Sequence, residues 1–478
     1  MNRTLLLVTA AGLLALAALV LGKPPSATPT PPSVTDTSHT VAKADEAPAT
    51  VTLPLVTSTP ADGALTLSGK LSGAYVQRGR SEAFAWLELK ARPTEKGHRV
   101  PVNLALVLDR SGSMAGKKLE DAKRAAAELV RRLTPEDRLA FVDYGSDVRV
   151  LPSRNVTEEV RSELLMEIAR LSDQGSTHLS GGLTGAAGAL RPYLKEYRVS
   201  RAILLSDGQP TMGIVSEPAL FNLARSLRDE GITVSALGVG ADFQESLMRG
   251  IAEQGGGFSG FIDDSARLAE VFSRELDQAT STVARNVELE LLVSDAVQAV
   301  EVMGVPSTRQ GNVVKVPLYD LAGDQSVRVV TKLTLATPAS GTEVLQVLGA
   351  RARYVDVARG GPAETALSLT ARATDDAALV RANLDKDVRV HATRALGTQQ
   401  LVAAAEEMKR GNRAAASGLL DNARRIFGAS AQALSSELAD VDQTQAAYRS
   451  AAGEDDVRRE TRQLYKKTMQ NFGQNNAY

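Results

Sequence analysis

Val102-Asn103-Leu104-Ala105-Leu106-Val107-Leu108-Asp109-Arg110-Ser111-Gly112-Ser113 joins a nearly unbroken apolar run to a short polar turn. A run of this length without alternation predicts a strand buried on both faces, as in a parallel sheet. Beyond the turn the period changes. Leu119, Ala122, Ala126, Leu129 and Val130 fall on one face of a helix over 118–133. The same exchange of textures continues to about residue 282. β-rich runs at 102–108, 139–143, 202–206, 233–239 and 257–262 are separated by amphipathic stretches at 118–133, 157–171, 179–197, 217–230, 244–253 and 265–279. Alternation of this kind predicts an α/β fold with a doubly wound, mostly parallel sheet.

The turn after the first strand carries the chemistry. A strand ending in a tight turn aims alternate side chains at one point. Asp109, Ser111 and Ser113 there offer one carboxylate and two hydroxyls, hard oxygen donors suited to Mg²⁺, Ca²⁺ or Mn²⁺. Gly112 is expected to let the turn close without a Cβ clash. A serine-rich turn capping the next helix is the alternative reading of these residues alone.

Two more segments extend the pattern. Gly175-Ser176-Thr177-His178-Leu179 opens the helix expected at 179–197, and Ser206-Asp207-Gly208 follows the strand run 202–205. Together with D-x-S-x-S they make the chain resemble von Willebrand factor A (VWA) and integrin I domains. The resemblance implies a metal-ion-dependent adhesion site, with Asp109, Ser111, Ser113, Thr177 and Asp207 as ligands and Mg²⁺ as the ion, Ca²⁺ and Mn²⁺ being alternatives. Asp109 and Asp207 both lie at carboxyl ends of expected strands, where α/β sheets collect ligands. Leu133-Thr134-Pro135-Glu136-Asp137-Arg138, Ser206-Asp207-Gly208-Gln209-Pro210-Thr211 and Leu237-Gly238-Val239-Gly240 with Asp242-Phe243 resemble exported bacterial VWA proteins. Those proteins, like the heavy chains of inter-alpha-trypsin inhibitor, have β-rich regions flanking the domain. The resemblance covers roughly residues 100–280.

Outside that span the reading rests on pattern. Leu5 to Leu21 is apolar and uncharged after Arg3, so residues 1–22 are expected to be a signal peptide or membrane anchor. Residues 23–59 are rich in Pro and Thr and are expected to be a disordered linker. Strand-like stretches at 64–68, 70–76 and 83–91 precede the α/β region, and others follow it at 287–293, 300–305, 312–317, 326–336, 343–356 and 364–374. Three early strands make a poor domain alone. Residues 60–100 and 284–375 are therefore expected to form one antiparallel β-sandwich interrupted by the VWA domain at 101–283. Residues 376–478 are expected to be helical, with a tetratricopeptide-like hairpin of helices 399–410 and 413–427 split at Gly411-Asn412, and a further helix over 455–469.

Composition narrows the function. The chain has 478 residues, 55 basic and 56 acidic, for a net charge of -1, which gives no field for nucleic acid. Cysteine is absent, excluding disulfides, thiolate metal sites and a cysteine nucleophile. The histidines at 39, 98, 178 and 391 are dispersed, and no Gly-x-Ser-x-Gly elbow occurs. Gly112 to Lys118 reads G-S-M-A-G-K-K, a near miss for a phosphate-binding loop lacking a spacer and the final Ser or Thr. Asp263-Asp264 is read as a helix cap. The expected function is that of an exported module, periplasmic, membrane-anchored through residues 5–21, or extracellular. It is expected to bind a protein partner whose acidic side chain completes the metal shell, and not to be an enzyme. The alternative is an accessory or scaffold subunit of an envelope complex, docking through the sandwich or the helical tail. Metal-assisted hydrolysis ranks below both, since only His178 is near enough to serve as a base.

Overall fold

The computed structural model describes residues 63–94, 99–207, 209–240, 244–262, 264–337, 344–451 and 453–474. The expected signal or anchor and the linker lie outside the described residues, as do Gly208, Asp242, Phe243 and Asp263 of the motifs above. Among the described residues, no helix is long and apolar enough to cross a membrane.

The chain enters through Leu65–Leu71 (β1), Tyr75–Gln77 (β2) and Gly79–Ala91 (β3). In β3 the alternation is strict: Ala83, Ala85, Leu87, Leu89 and Ala91 are buried, while Phe84, Trp86 and Glu88 between them are only partly covered. Period two with one buried face is the pattern of a sandwich strand.

Then come Val102–Asp109 (β4), Lys117–Arg132 (α1), Arg138–Tyr144 (β5), Val148–Asn155 (β6), Glu158–Ala169 (α2), Leu179–Leu190 (α3), Val199–Ser206 (β7), Glu217–Asp229 (α4), Ile232–Val239 (β8), Glu245–Gly255 (α5), Gly256–Ile262 (β9) and Leu268–Thr280 (α6). The sheet order is β6-β5-β4-β7-β8-β9, parallel throughout except for β5 against β6. All of β4 is buried. Leu104, Leu106 and Leu108 pack with the layer of α1, α2 and α6, and Ala105 and Val107 with α3, α4 and α5. Helices thus cover both faces, which is why β4 is apolar from Leu104 to Leu108. The one polar residue before Asp109, Asn103, is buried with its amide donating to the Leu190 carbonyl and the Ser200 hydroxyl, each at 3.1 Å.

Two expectations here need correction. Strand β6 was not foreseen. It is half-exposed and carries Pro152, so it has no apolar run to announce it, and Pro is tolerated because this is the sheet edge. The helix expected over 179–197 ends at Leu190, and Pro192 sits in the 3₁₀ turn Arg191–Tyr193 that follows.

Helix α6 runs into the second strand group: Thr282–Val293 (β10), Val297–Val302 (β11), Thr308–Gln310 (β12), Val313–Pro317 (β13), Leu321–Ala322 (β14), Ser326–Thr337 (β15), Val344–Asp356 (β16) and Gly361–Thr374 (β17). Early and late strands share sheets. One sheet has the order β1-β3-β15-β11, and β3 pairs β15 antiparallel from Lys90 opposite Ser326 to Gly79 opposite Thr337. The other runs β12-β13-β10-β16-β17-β2, with β14 beside β10. Leu67, Leu87 and Leu89 from the first sheet and Leu289, Leu291 and Val347 from the second lie in one apolar core. Phe258 of β9 enters that same core.

Polar contacts bind the α/β region to the sandwich. Arg201 of β7, fully buried, lies 3.3 Å from Glu275 of α6 and 3.6 Å from Asp320 between β13 and β14. Asp320 also accepts from the Thr233 hydroxyl (2.5 Å) and the Asn286 amide (3.1 Å). Arg228 donates to the carbonyls of Val287 and Leu318.

The tail comprises Ala377–Ala382 (α7), Lys386–Lys409 (α8), Arg413–Gly428 (α9), Ser435–Ser450 (α10) and Glu454–Asn471 (α11). The expected hairpin is α8 with α9: Leu401, Ala404, Ala405 and Met408 share a core with Ala416, Leu420 and Ala423. Helix α8 begins well before residue 399, and α10 was missed altogether. The tail leans on both other regions. Trp86 of β3 stacks on His391 with centroids 5.5 Å apart, and Arg462 of α11 lies over the Phe261 ring of β9. Burial holds His391 well below the usual histidine range, at about 4, aided by the nearby Arg328 and Arg394 charges. Replacing Leu420, 1% exposed, with aspartate is expected to cost about 3 kcal/mol or more by placing a charge in this core. Hydrogen exchange of α8 and α9 reads the effect, and unchanged protection would mean that this face is not a core.

Candidate metal centre

At the carboxyl end of the parallel sheet, three loops meet. The first follows β4. Asp109 is the last strand residue and is fully buried. Its Oδ1 accepts the Ser111 amide at 2.8 Å, an Asx-type turn that folds the chain back over the strand end. Its Oδ2 accepts the Ser206 hydroxyl at 2.5 Å, tying β4 to the end of β7. Ser111 and Ser113 stand with their hydroxyls 3.1 Å apart, and Ser113 Oγ donates to Asp207 Oδ1 at 2.7 Å. Hydrogen bonds therefore link Asp109, Ser111, Ser113 and Asp207 into one cluster.

Thr177 joins through backbone contacts. The Gly112 amide donates to the Gly175 carbonyl (3.1 Å), the Gln174 amide to the Arg110 carbonyl (2.7 Å), and the His178 amide to the Gly145 carbonyl (3.1 Å). The Thr211 and Met212 amides donate to the Thr177 carbonyl, and the Thr177 amide to Thr211 Oγ1. Thr177 is thus pinned from both sides and buried beside the first loop. Arg110 turns away from the cluster. Its guanidinium bonds Asp143 and Asp147, each at 2.6 Å, and so braces the first loop against the β5–β6 hairpin.

The role expected of Gly112 is corrected. A Cβ there would meet only the Gly175 carbonyl, at an ordinary 3.8 Å. The glycines that permit close approach are Gly145, where a Cβ would lie 2.3 Å from the Gln174 carbonyl oxygen, and Gly175, with φ +76° and its Cβ position 2.3 Å from Ser146 Oγ.

The electrostatics favour a positive charge at this cluster. Burial pushes the Asp109 carboxyl above the usual range; hydrogen bonds from Ser111 and Ser206 pull it back, and the Asp207 charge pushes it up again. Two carboxylates side by side, both essentially out of water, favour a positive partner between them. With the hydroxyls of Ser111 and Ser113 they form an all-oxygen cluster, a chemistry that fits a hard divalent ion, and backbone hydrogen bonds hold Thr177 beside the same loop. Among the described residues, no group of three or more His, Cys, Asp or Glu is placed to hold a metal, so this centre depends on its hydroxyls. One neighbour was missed in the sequence reading: Lys118 places its ammonium 2.5 Å from Asp207 Oδ2. Its only signal there was the imperfect phosphate-loop pattern.

The domain that carries this cluster has counterparts among known proteins. Residues 103–274 match the family model described as the von Willebrand factor type A domain. The chain contains a VWA domain. Its relatives include an uncharacterized protein of Synechocystis sp., 30% identical over 57% of this chain and 66% of that one. They also include inter alpha-trypsin inhibitor heavy chain 4 of Mus musculus, 26% identical over 38% of this chain and 20% of that one. The chain thus spans less than two thirds of the length of either relative. A solved von Willebrand factor type A structure from Catenulispora acidiphila superposes with a TM-score of 0.64 at 18% identity, over 82% of this chain and 91% of the other. That likeness concerns the fold, and it extends beyond the VWA domain into the flanking strands. VWA domains are in general protein-interaction modules, and many of them bind a divalent metal.

Proposed function

We propose that this chain is an exported binding protein that grips an acidic side chain of a protein partner at a divalent metal, preferentially Mg²⁺, held by Asp109, Ser111, Ser113, Thr177 and Asp207. The observation that carries this reading is the meeting of two buried carboxylates and their hydroxyl neighbours at the open end of the sheet. When bound, a divalent cation supplies a Lewis-acidic point that accepts one external carboxylate oxygen. Asp109 and Asp207 bring only two formal negative charges, so the shell does not over-neutralise the ion. Ser206 and the Ser111 amide keep Asp109 aimed at the site. The loop after Asp207 exposes Met212, Ile214 and Val215, three of the six exposed large apolar side chains among the described residues. Apolar side chains beside a polar anchor suit a protein surface. Export rests on the apolar, uncharged run from Leu5 to Leu21. Among the described residues, the Ser113 and Ser206 hydroxyls donate to the two carboxylates that would hold the ion, an arrangement that suits binding better than catalysis.

The test is capture from an envelope extract of the source organism on the immobilised 478-residue chain, in Mg²⁺ and in chelator. The expected result is a partner retained by the wild type in Mg²⁺, lost in chelator and lost with Asp109→Ala. Retention indifferent to both treatments would contradict the reading and point to docking through the sandwich or the tail.

A further inference from the structure

Lys118 is the second residue of α1, directly after the loop that carries Ser111 and Ser113. Its ammonium lies 2.5 Å from Asp207 Oδ2 and 3.2 Å from the Ser113 carbonyl oxygen. The Asp207 side chain is fully buried, that of Lys118 29% exposed. The other Asp207 oxygen already accepts from Ser113, so both oxygens of this carboxylate are engaged.

The lysine is also guided into place. Gly240, at the end of the Leu237-Gly238-Val239-Gly240 segment, has φ +86°, and a Cβ there would lie 2.9 Å from Lys118 Cε and 3.2 Å from its Nζ. The bare backbone at Gly240 therefore runs close over the end of the lysine side chain, in a conformation that favours glycine. The adjacent lysine goes elsewhere: Lys117 reaches Asp121 at 2.8 Å and Asp264 and Ser265 at 3.3 Å. The two neighbours are not interchangeable.

Resting on the metal-site reading above, we propose that Lys118 is a tethered cation that holds Asp207 when the divalent ion is absent, so that metal can bind fully only as the ammonium gives way. A monovalent charge on a buried carboxylate offsets part of the repulsion between Asp109 and Asp207. The same charge opposes a second cation at that carboxylate, whose side chain is fully buried. Lys118 thus stabilises the metal-free domain and lowers its metal affinity, which sets the concentration at which the site fills.

The experiment is a calorimetric titration of Mn²⁺ into the full chain, as wild type, Lys118→Met and Lys117→Met, with melting curves of each in chelator. Lys118→Met is expected to bind Mn²⁺ about tenfold tighter or more and to melt lower than wild type in chelator. Lys117→Met is expected to match the wild-type affinity. Binding by Lys118→Met alone would support the proposal in its strongest form. Wild-type or weaker affinity in Lys118→Met, with wild type binding, would overturn the proposal and leave the metal site standing. No Mn²⁺ binding by either would overturn both. Should Lys118→Met fail to fold, ¹⁵N-labelled lysine side chains of the wild type give the second readout. The Lys118 ammonium signal, identified by its loss in Lys118→Arg, is expected to move on adding Mg²⁺. A signal unmoved at saturating Mg²⁺ would overturn the proposal.

Discussion

Replacing Arg201 with methionine is expected to cost about 3–5 kcal/mol, because it leaves carboxylates buried without their cation. Arg201 and Glu275 are fully buried, and the Asp320 side chain is 2% exposed. The guanidinium draws together three parts of the chain: the central strand β7, the last VWA helix α6, and the segment that enters β14 of the sandwich. It also lies over the Phe258 ring, 5.8 Å from the centroid, where β9 reaches into the sandwich core. Urea unfolding of the full chain measures the loss. Arg191→Met provides the contrast, since the Arg191–Glu230 pair is solvent-exposed on both sides and is expected to contribute about 0–1 kcal/mol. Equal small losses in the two variants would mean that the buried pair does not hold the regions together.

The second large effect concerns metal. Saturating Mg²⁺, at about a thousandfold its dissociation constant, is expected to stabilise the wild type by about 4 kcal/mol by mass action. Asp109→Ala is expected to abolish that gain, since it removes a charged ligand at the centre of the cluster. Ser113→Ala removes a neutral one and is expected to reduce the gain only in part. Asp109→Asn separates function from folding. Burial and the neighbouring Asp207 hold the Asp109 carboxyl above its usual range, so its charge is a burden on the metal-free fold. The asparagine variant is therefore expected to keep its metal-free stability while losing the response to Mg²⁺. Melting curves in Mg²⁺ and in chelator check all three variants, and an undiminished response in Asp109→Ala would place the ion elsewhere.

The strands that carry this site were legible because both faces of each are buried. A continuous apolar run such as 102–108 then has one reading once helices flank it on either side. The union of early and late strands was also legible, since three strands cannot cover their own apolar face. What escaped had no such signature. Strand β6 is a half-exposed edge broken by Pro152, and helix α10 reads S-S-E-L-A-D-V-D-Q-T-Q-A-A-Y-R-S, with too few apolar positions to mark a face. Arg201 looks in sequence like the polar start of a strand, and only the fold shows that carboxylates from α6 and the sandwich surround it. The five oxygen-bearing residues were named from a motif and its resemblance, and four of them meet through direct hydrogen bonds. Lys118 escaped because its partner lies 89 positions away and the turn at Gly240 that guides it lies farther still. Distance in sequence hides what a shared sheet end brings together.

The most direct test is a crystal structure of the wild-type chain grown with Mn²⁺, with anomalous diffraction locating the ion. The expected result is a single strong peak among Asp109, Ser111, Ser113, Thr177 and Asp207, within about 2.5 Å of their oxygens or bridged to them by one water, with the remaining position open toward solvent. A peak at another place, or none at this one under saturating Mn²⁺, would contradict it.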